Sequence, residues 1–116
     1  MTTPPIDRRT DEELVAACNS GSSDAATAAF ETLYQRHRAY VLRIALRFTR
    51  EHEMAADVLQ ETFGYLLRLF PPTGRGLTLT ARLTTFLYPV AKNFAISAAR
   101  RARRLETGDD DRIQAI

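Results

Sequence analysis

Phe30, Leu33, Tyr34, His37, Val41, Ile44, Ala45 and Phe48 follow one another at steps of three and four, the spacing of one face of an α-helix. This stripe predicts a long helix over residues 23–50, with a bend near residues 37–40, where no strong helix former sits. Strand signals are poor. Only Leu77 and Leu79 alternate, and glycine and threonine surround them. The chain is therefore expected to be all-α.

Three further helices are predicted. Thr10 and Glu13 have capping-box spacing, and Asp11, Glu12 and Glu13 place negative charge at the positive end of a helix over residues 11–20, which Gly21 stops. Ala55, Val58, Leu59, Thr62, Leu66 and Leu69 form the buried stripe of a helix over residues 53–70. Pro71 and Pro72 end it, because proline disfavours helix in the residue before it. Gly64 inside this helix costs about 1 kcal/mol relative to alanine, which a close approach by a packing neighbour or a partner would justify. Residues 71–80 form a loop. The last helix covers residues 81–105, with Leu83, Leu87, Val90 or Ala91, Phe94, Ala98 and Ala102 on its apolar face. Phe86, Asn93, Ser97, Arg100 and Arg104 form a second stripe on it, and Pro89 marks a kink or a late start. The expected architecture is one compact bundle of about four helices with a basic C-terminal helix lying across the second and third.

Net charge is only +2, but its distribution is uneven. From Thr62 to Leu105 the chain carries Arg68, Arg75, Arg82, Lys92, Arg100, Arg101, Arg103 and Arg104 and no acid. Lys92 is the only lysine among 16 basic residues, which reads either as genome composition or as a preference for phosphate, suited to the planar guanidinium fork.

Three stretches carry a resemblance. Asp57-Val58-Leu59-Gln60-Glu61-Thr62-Phe63 resembles the D-x-x-Q-E-x-F signature of region 2.2 in extracytoplasmic-function (ECF) sigma factors of the sigma-70 family. Ala29-Phe30-Glu31-Thr32-Leu33-Tyr34-Gln35-Arg36-His37 is similar to the region 2.1 pattern A-F-x-x-L-Y-x-R-x. Phe86-Leu87-Tyr88-Pro89-Val90-Ala91-Lys92-Asn93 is similar to W-L-x-x-I-A-x-N, followed by the usual arginine cluster. The order and distances match over roughly residues 11–104, so the chain looks like a sigma-70 region 2 domain.

The resemblance implies that the helix bearing Asp57, Gln60, Glu61 and Phe63 docks on the β′ clamp of core RNA polymerase. Helical spacing puts Asp57, Gln60 and Glu61 on one face, opposite the apolar stripe. The resemblance also implies a DNA surface that opens the promoter −10 element and holds its non-template strand. Arg75, Arg82, Phe86, Lys92, Asn93, Ser97, Arg100, Arg101, Arg103 and Arg104 are its candidates. The cations would pair with phosphates, Asn93 would reach a base edge or a phosphate, and Phe86 would stack on an exposed base. Taken singly, Phe86 reads as core and the arginines as a basic end complementing the helix dipole. The loop over residues 71–80 would capture a flipped base, with Thr73, Arg75, Thr78 and Thr80 as donors. An anti-sigma factor is a further candidate partner. The family usually has tryptophan where Phe86 stands and often arginine where Pro89 stands.

In this organisation residues 1–9 are a flexible N-terminus, residues 10–105 the domain, and residues 106–116 an acidic linker, with the helix-turn-helix region 4 absent. Residues 1–9 carry no apolar stretch and no apolar run approaches the ~20 residues that span a bilayer, so neither a signal peptide nor membrane insertion is expected. Cys18 is the single cysteine, which excludes an internal disulfide and fits the cytoplasm. No cofactor or metal is expected: His37 and His52 have no partners at metal-ligand spacing. Ser97 has no activating histidine nearby, so an enzyme is not expected. The alternative is a helical protein–protein interaction module without a DNA role, against which the acid-free basic half argues. A helix-turn-helix repressor fits poorly, because the loop before the basic helix is not a tight turn.

Overall fold

The computed structural model describes residues 6–21 and 23–107. They form four helices: α1 (Asp11–Asn19), α2 (Ser23–Thr49), α3 (His52–Leu69) and α4 (Leu83–Thr107). No strand occurs among the described residues.

Each boundary has a local cause. The Thr10 hydroxyl accepts from the Glu13 amide at 3.1 Å, and the Glu13 carboxylate accepts from the Thr10 amide at 3.0 Å, completing the capping box of α1. Helix α2 runs without interruption through residues 37–40, so the expected bend is absent. It stops at Thr49 because Arg50 turns left-handed (φ 61°), and the Arg50 amide still bonds the Leu46 carbonyl at 2.8 Å. That reversal leaves room for α3 to begin at His52. Helix α4 starts at Leu83, the first residue of its apolar stripe and two residues later than expected, and the Arg82 carbonyl accepts from the amides of Thr85 (3.0 Å) and Phe86 (3.4 Å). It then continues through Pro89, whose exposed position tolerates the missing donor, as far as Thr107, the last described residue.

Helix α2 touches all three others, and α4 also packs on α3. The main core joins Leu14, Val15 and Cys18 of α1 to Leu33, Val41 and Ile44 of α2. Leu59, Phe63 and Leu66 of α3 and Leu83, Leu87 and Ala91 of α4 complete it. A second, smaller cluster joins Ala45, Ala55, Val58, Ala95 and Ala98 at the far end of α4. Buried Thr62 bonds the Val58 carbonyl one turn back at 2.7 Å, so it adds no unpaired polar atom.

The segment before α1 is hydrogen-bonded to α2. Arg36 of α2 donates to the carbonyls of Arg9 (2.9 Å) and Asp7 (3.1 Å) and to the Asp11 carboxylate (2.9 Å). Beside it, buried His37 donates a ring N–H to the other Asp11 oxygen at 2.8 Å. Residues 1–5, and residues 108–116 of the expected linker, lie outside the described residues.

Candidate docking and nucleic-acid surfaces

Asp57 and Gln60 project from α3 into solvent, and Glu61 is half-buried beside them. Phe63 points the other way. It is 3% exposed and lies edge-on to Tyr34 (5.0 Å between centroids) and to Phe30 (6.3 Å). The expectation that Phe63 contacts a partner is therefore corrected. One step of three past Gln60 turns the chain inward, and Phe63 shares the core stripe with Leu59 and Leu66. Its part is to seat α3 on α2. Exposed Leu67, seven residues after Gln60, extends the outer face past Gly64. A β-carbon on Gly64 would meet only the Arg68 guanidinium, at 3.5 Å, so nothing packed inside the chain requires glycine there.

The loop over residues 71–80 is held from a distance. The Asn19 side-chain amide donates to the Leu77 carbonyl and accepts from the Leu77 amide, both at 2.8 Å. Within the loop the amides of Gly74 and Gly76 bond back to the carbonyls of Phe70 (2.9 Å) and Leu69 (2.7 Å). Gly76 has φ 106°, a conformation that favours glycine. Thr73, Arg75, Thr78 and Thr80 are exposed on this pinned loop, and Arg82 is exposed where it enters α4.

The candidate DNA residues of α4 divide between its two flanks. On the α3 flank, half-buried Phe86 stacks on Tyr65 (6.4 Å, 19° between planes), and Tyr65 meets Phe94 edge-on at 6.4 Å. Tyr65, Val90, Phe94 and the exposed Asn93 and Ser97 line a cavity of about 310 Å³. Arg100 and Arg104 continue the same stripe toward the C-terminus. On the α2 flank, the Lys92 ammonium lies over the rings of Phe48 (5.8 Å) and Tyr88 (6.0 Å). Arg103 lies on this side too, lining a cavity with Arg47 of α2 and with Arg50 just past its end. Arg101 is exposed. The ten candidates thus lie along one helix and its entry loop, but they do not form one patch.

Sequence reasoning missed Tyr65, Asn19 and Leu67. Leu67 could have been found from its helical spacing to Gln60. Tyr65 and Asn19 act through partners 21 and 58 residues away, which no local pattern signals.

The Arg9 guanidinium, bonded at 2.7 Å, holds the Asp7 carboxyl well below its ordinary 3.8. The Thr10 amide holds Glu13 below its ordinary 4.5. Burial pushes the Cys18 thiol up, so it behaves as a small apolar group. Among the described residues no group of three or more histidine, cysteine, aspartate or glutamate side chains could hold a metal, and no helix is long and apolar enough to cross a membrane.

Comparison with known proteins agrees with this geometry. The model of the family "Sigma-70 region 2" matches residues 33–105, more than half of the chain. The chain is also 38% identical over 86 residues to the ECF RNA polymerase sigma factor SigL of Mycobacterium tuberculosis, in the Erdman, CDC 1551 and H37Rv strains. That match covers 72% of this chain and 46% of the relative, so the chain spans about half the length of the curated relatives it matches. No solved structure gives a significant match. With its four-helix architecture and the order of its three sequence patterns, the chain belongs to the sigma-70 region 2 family, in its extracytoplasmic-function group.

Proposed function

We propose that this chain is the part of an ECF sigma factor that binds core RNA polymerase through the β′ clamp and recognises and opens the promoter −10 element. The observation that carries the reading is the division of labour between α3 and α4. Asp57, Gln60 and Glu61 offer acceptors and an amide on the outer face of α3, while α4 and its entry loop carry cations and no acid from Arg75 to Arg104. A helix face with two carboxylates suits basic and polar groups on a partner protein and repels DNA. An acid-free basic helix suits phosphates.

Within this reading, Phe86 and Tyr65 present a stacked aromatic pair beside Asn93 and Ser97, where an unpaired non-template base would gain about 1–3 kcal/mol from stacking. Arg75, Arg82, Arg100, Arg101 and Arg104 supply phosphate contacts around it. The pinned loop over residues 71–80 offers a rigid rim for an extruded base, whose lost pairing and stacking a pocket must offset. An anti-sigma factor would act by covering either surface.

The test is retention of the chain by core RNA polymerase, with the Gln60→Ala/Glu61→Ala variant beside it. Retention lost in a variant that melts like the parent supports the reading. Equal retention of both would remove the assigned face, and no retention of the folded parent would leave the helical interaction module.

A further inference from the structure

The proposed reading uses the α3 flank of α4, yet the α2 flank is equally basic and is built differently. Between Glu31 and Glu51 the chain has no acid; Arg43 and Arg47 stand one turn apart along one edge of α2, and Arg50 follows just past its end. Tyr88, Lys92, Ala99 and Arg103 recur at helical spacing along the facing edge of α4. Two cavities lie between these edges and share Arg47. The first, about 330 Å³, is lined by Tyr40, Arg43, Ile44, Arg47 and Tyr88, and no acid lines it. The second, about 610 Å³, adds Arg50 and Arg103 but is also lined by Glu51 and Glu106.

The first cavity is the stronger site. Arg43 and Arg47 are exposed, and neither makes an ion pair or hydrogen bond among the described residues. They stand one helical turn apart, about 6 Å along the axis. Lys92 is already positioned over Tyr88 and Phe48, so it loses little freedom when an anion arrives. Two unpaired guanidinium groups one turn apart, in a cavity also lined by Tyr40 and Tyr88, suit a sugar–phosphate strand, whose phosphates repeat at similar intervals and whose bases stack on any aromatic face.

We infer that the groove between α2 and α4, centred on Arg43, Arg47 and Tyr88, is a second, sequence-independent binding track for the backbone of a nucleic-acid strand. It rests on the reading of the chain as a DNA-binding sigma domain. It differs from that reading in placing strand contacts on both flanks of α4. The helix then separates two lengths of backbone, with base recognition confined to the Asn93 and Ser97 side.

The experiment measures binding of the chain to fluorescein-labelled single-stranded DNA of two unrelated sequences over a range of salt concentrations. Arg43→Ala/Arg47→Ala is expected to weaken binding to both sequences and to make the slope of log affinity against log salt shallower by roughly 1.4, at about 0.7 per phosphate contact on a single strand. Its thermal unfolding should match that of the parent. Arg8→Ala/Arg38→Ala removes the same charge away from the groove and should leave the slope unchanged. If that control flattens the slope equally, net charge is responsible and the groove is not a site. If the groove variant keeps the parent slope, the inference falls, and the unpaired arginines face an acidic protein surface instead. If the unaltered chain shows no salt-dependent binding, the DNA reading itself falls, and the inference with it.

Discussion

The side-chain amide of Asn19 pairs with both backbone groups of Leu77, 58 residues away, as a neighbouring strand would. Helix α1 thereby fixes the loop that enters α4. Asn19→Ala leaves two half-buried backbone groups unpaired and should cost about 1–3 kcal/mol. Hydrogen exchange should show the Leu77 amide losing protection, while amides in the middle of α2 change only as global stability does.

Phe63 and Gln60 separate support from contact on one helix. Phe63→Ala empties a site packed by Tyr34 and Phe30 and should cost about 3–5 kcal/mol in denaturant unfolding. Gln60→Ala removes an exposed side chain whose one partner, the Tyr34 hydroxyl, is a long 3.4 Å away, and should stay within about 0.5 kcal/mol. Polymerase retention after Gln60→Ala, measured at equal folded fraction, then reports contact alone.

Gly64→Ala should stabilise the isolated chain by about 0.5–1 kcal/mol, because the site is open and helical. The same variant should weaken binding to core polymerase if a partner backbone approaches α3 between Gln60 and Leu67. A calorimetric melt and a pull-down on one preparation decide both halves.

Acidification should release the N-terminal segment first. Asp7 and Glu13 are both held below their ordinary values, so their folded-state pKa values lie below the unfolded ones. Their contribution is present above the unfolded values near 4 and is lost as pH falls through the folded ones. Amide signals of residues 7–13 should therefore shift below about pH 4, earlier than signals from the core of α2. Asp7→Asn should remove the part of that change that depends on the Asp7 carboxylate.

The bundle was legible where one period ran long. The stripe from Phe30 to Phe48 and the capping pair Thr10 and Glu13 appear in the structure as read, and helix ends moved by one or two residues for local reasons such as the left-handed turn at Arg50. The candidate surfaces were legible only in part. The D-x-x-Q-E-x-F pattern names residues without saying which way each faces, so Phe63 was grouped with its exposed neighbours although its spacing to Leu59 and Leu66 puts it inside. The split of α4 into two flanks depends on where α2 and α3 lie, which the basic run from Arg68 to Arg104 does not encode.

Helix α4 is seated by Leu83 and Leu87 at one end and by Ala91, Ala95 and Ala98 toward the other. Alanine permits close approach but removes far less apolar surface from water than leucine does. The helix is thus held by larger side chains at its loop end than beside Arg100 to Arg104, where Phe94 is the bulkiest residue it contributes. A strand of phosphates laid along that end would stiffen it. Affinity for DNA and the order of the last turns of α4 would then rise together, and salt that weakens one would loosen the other.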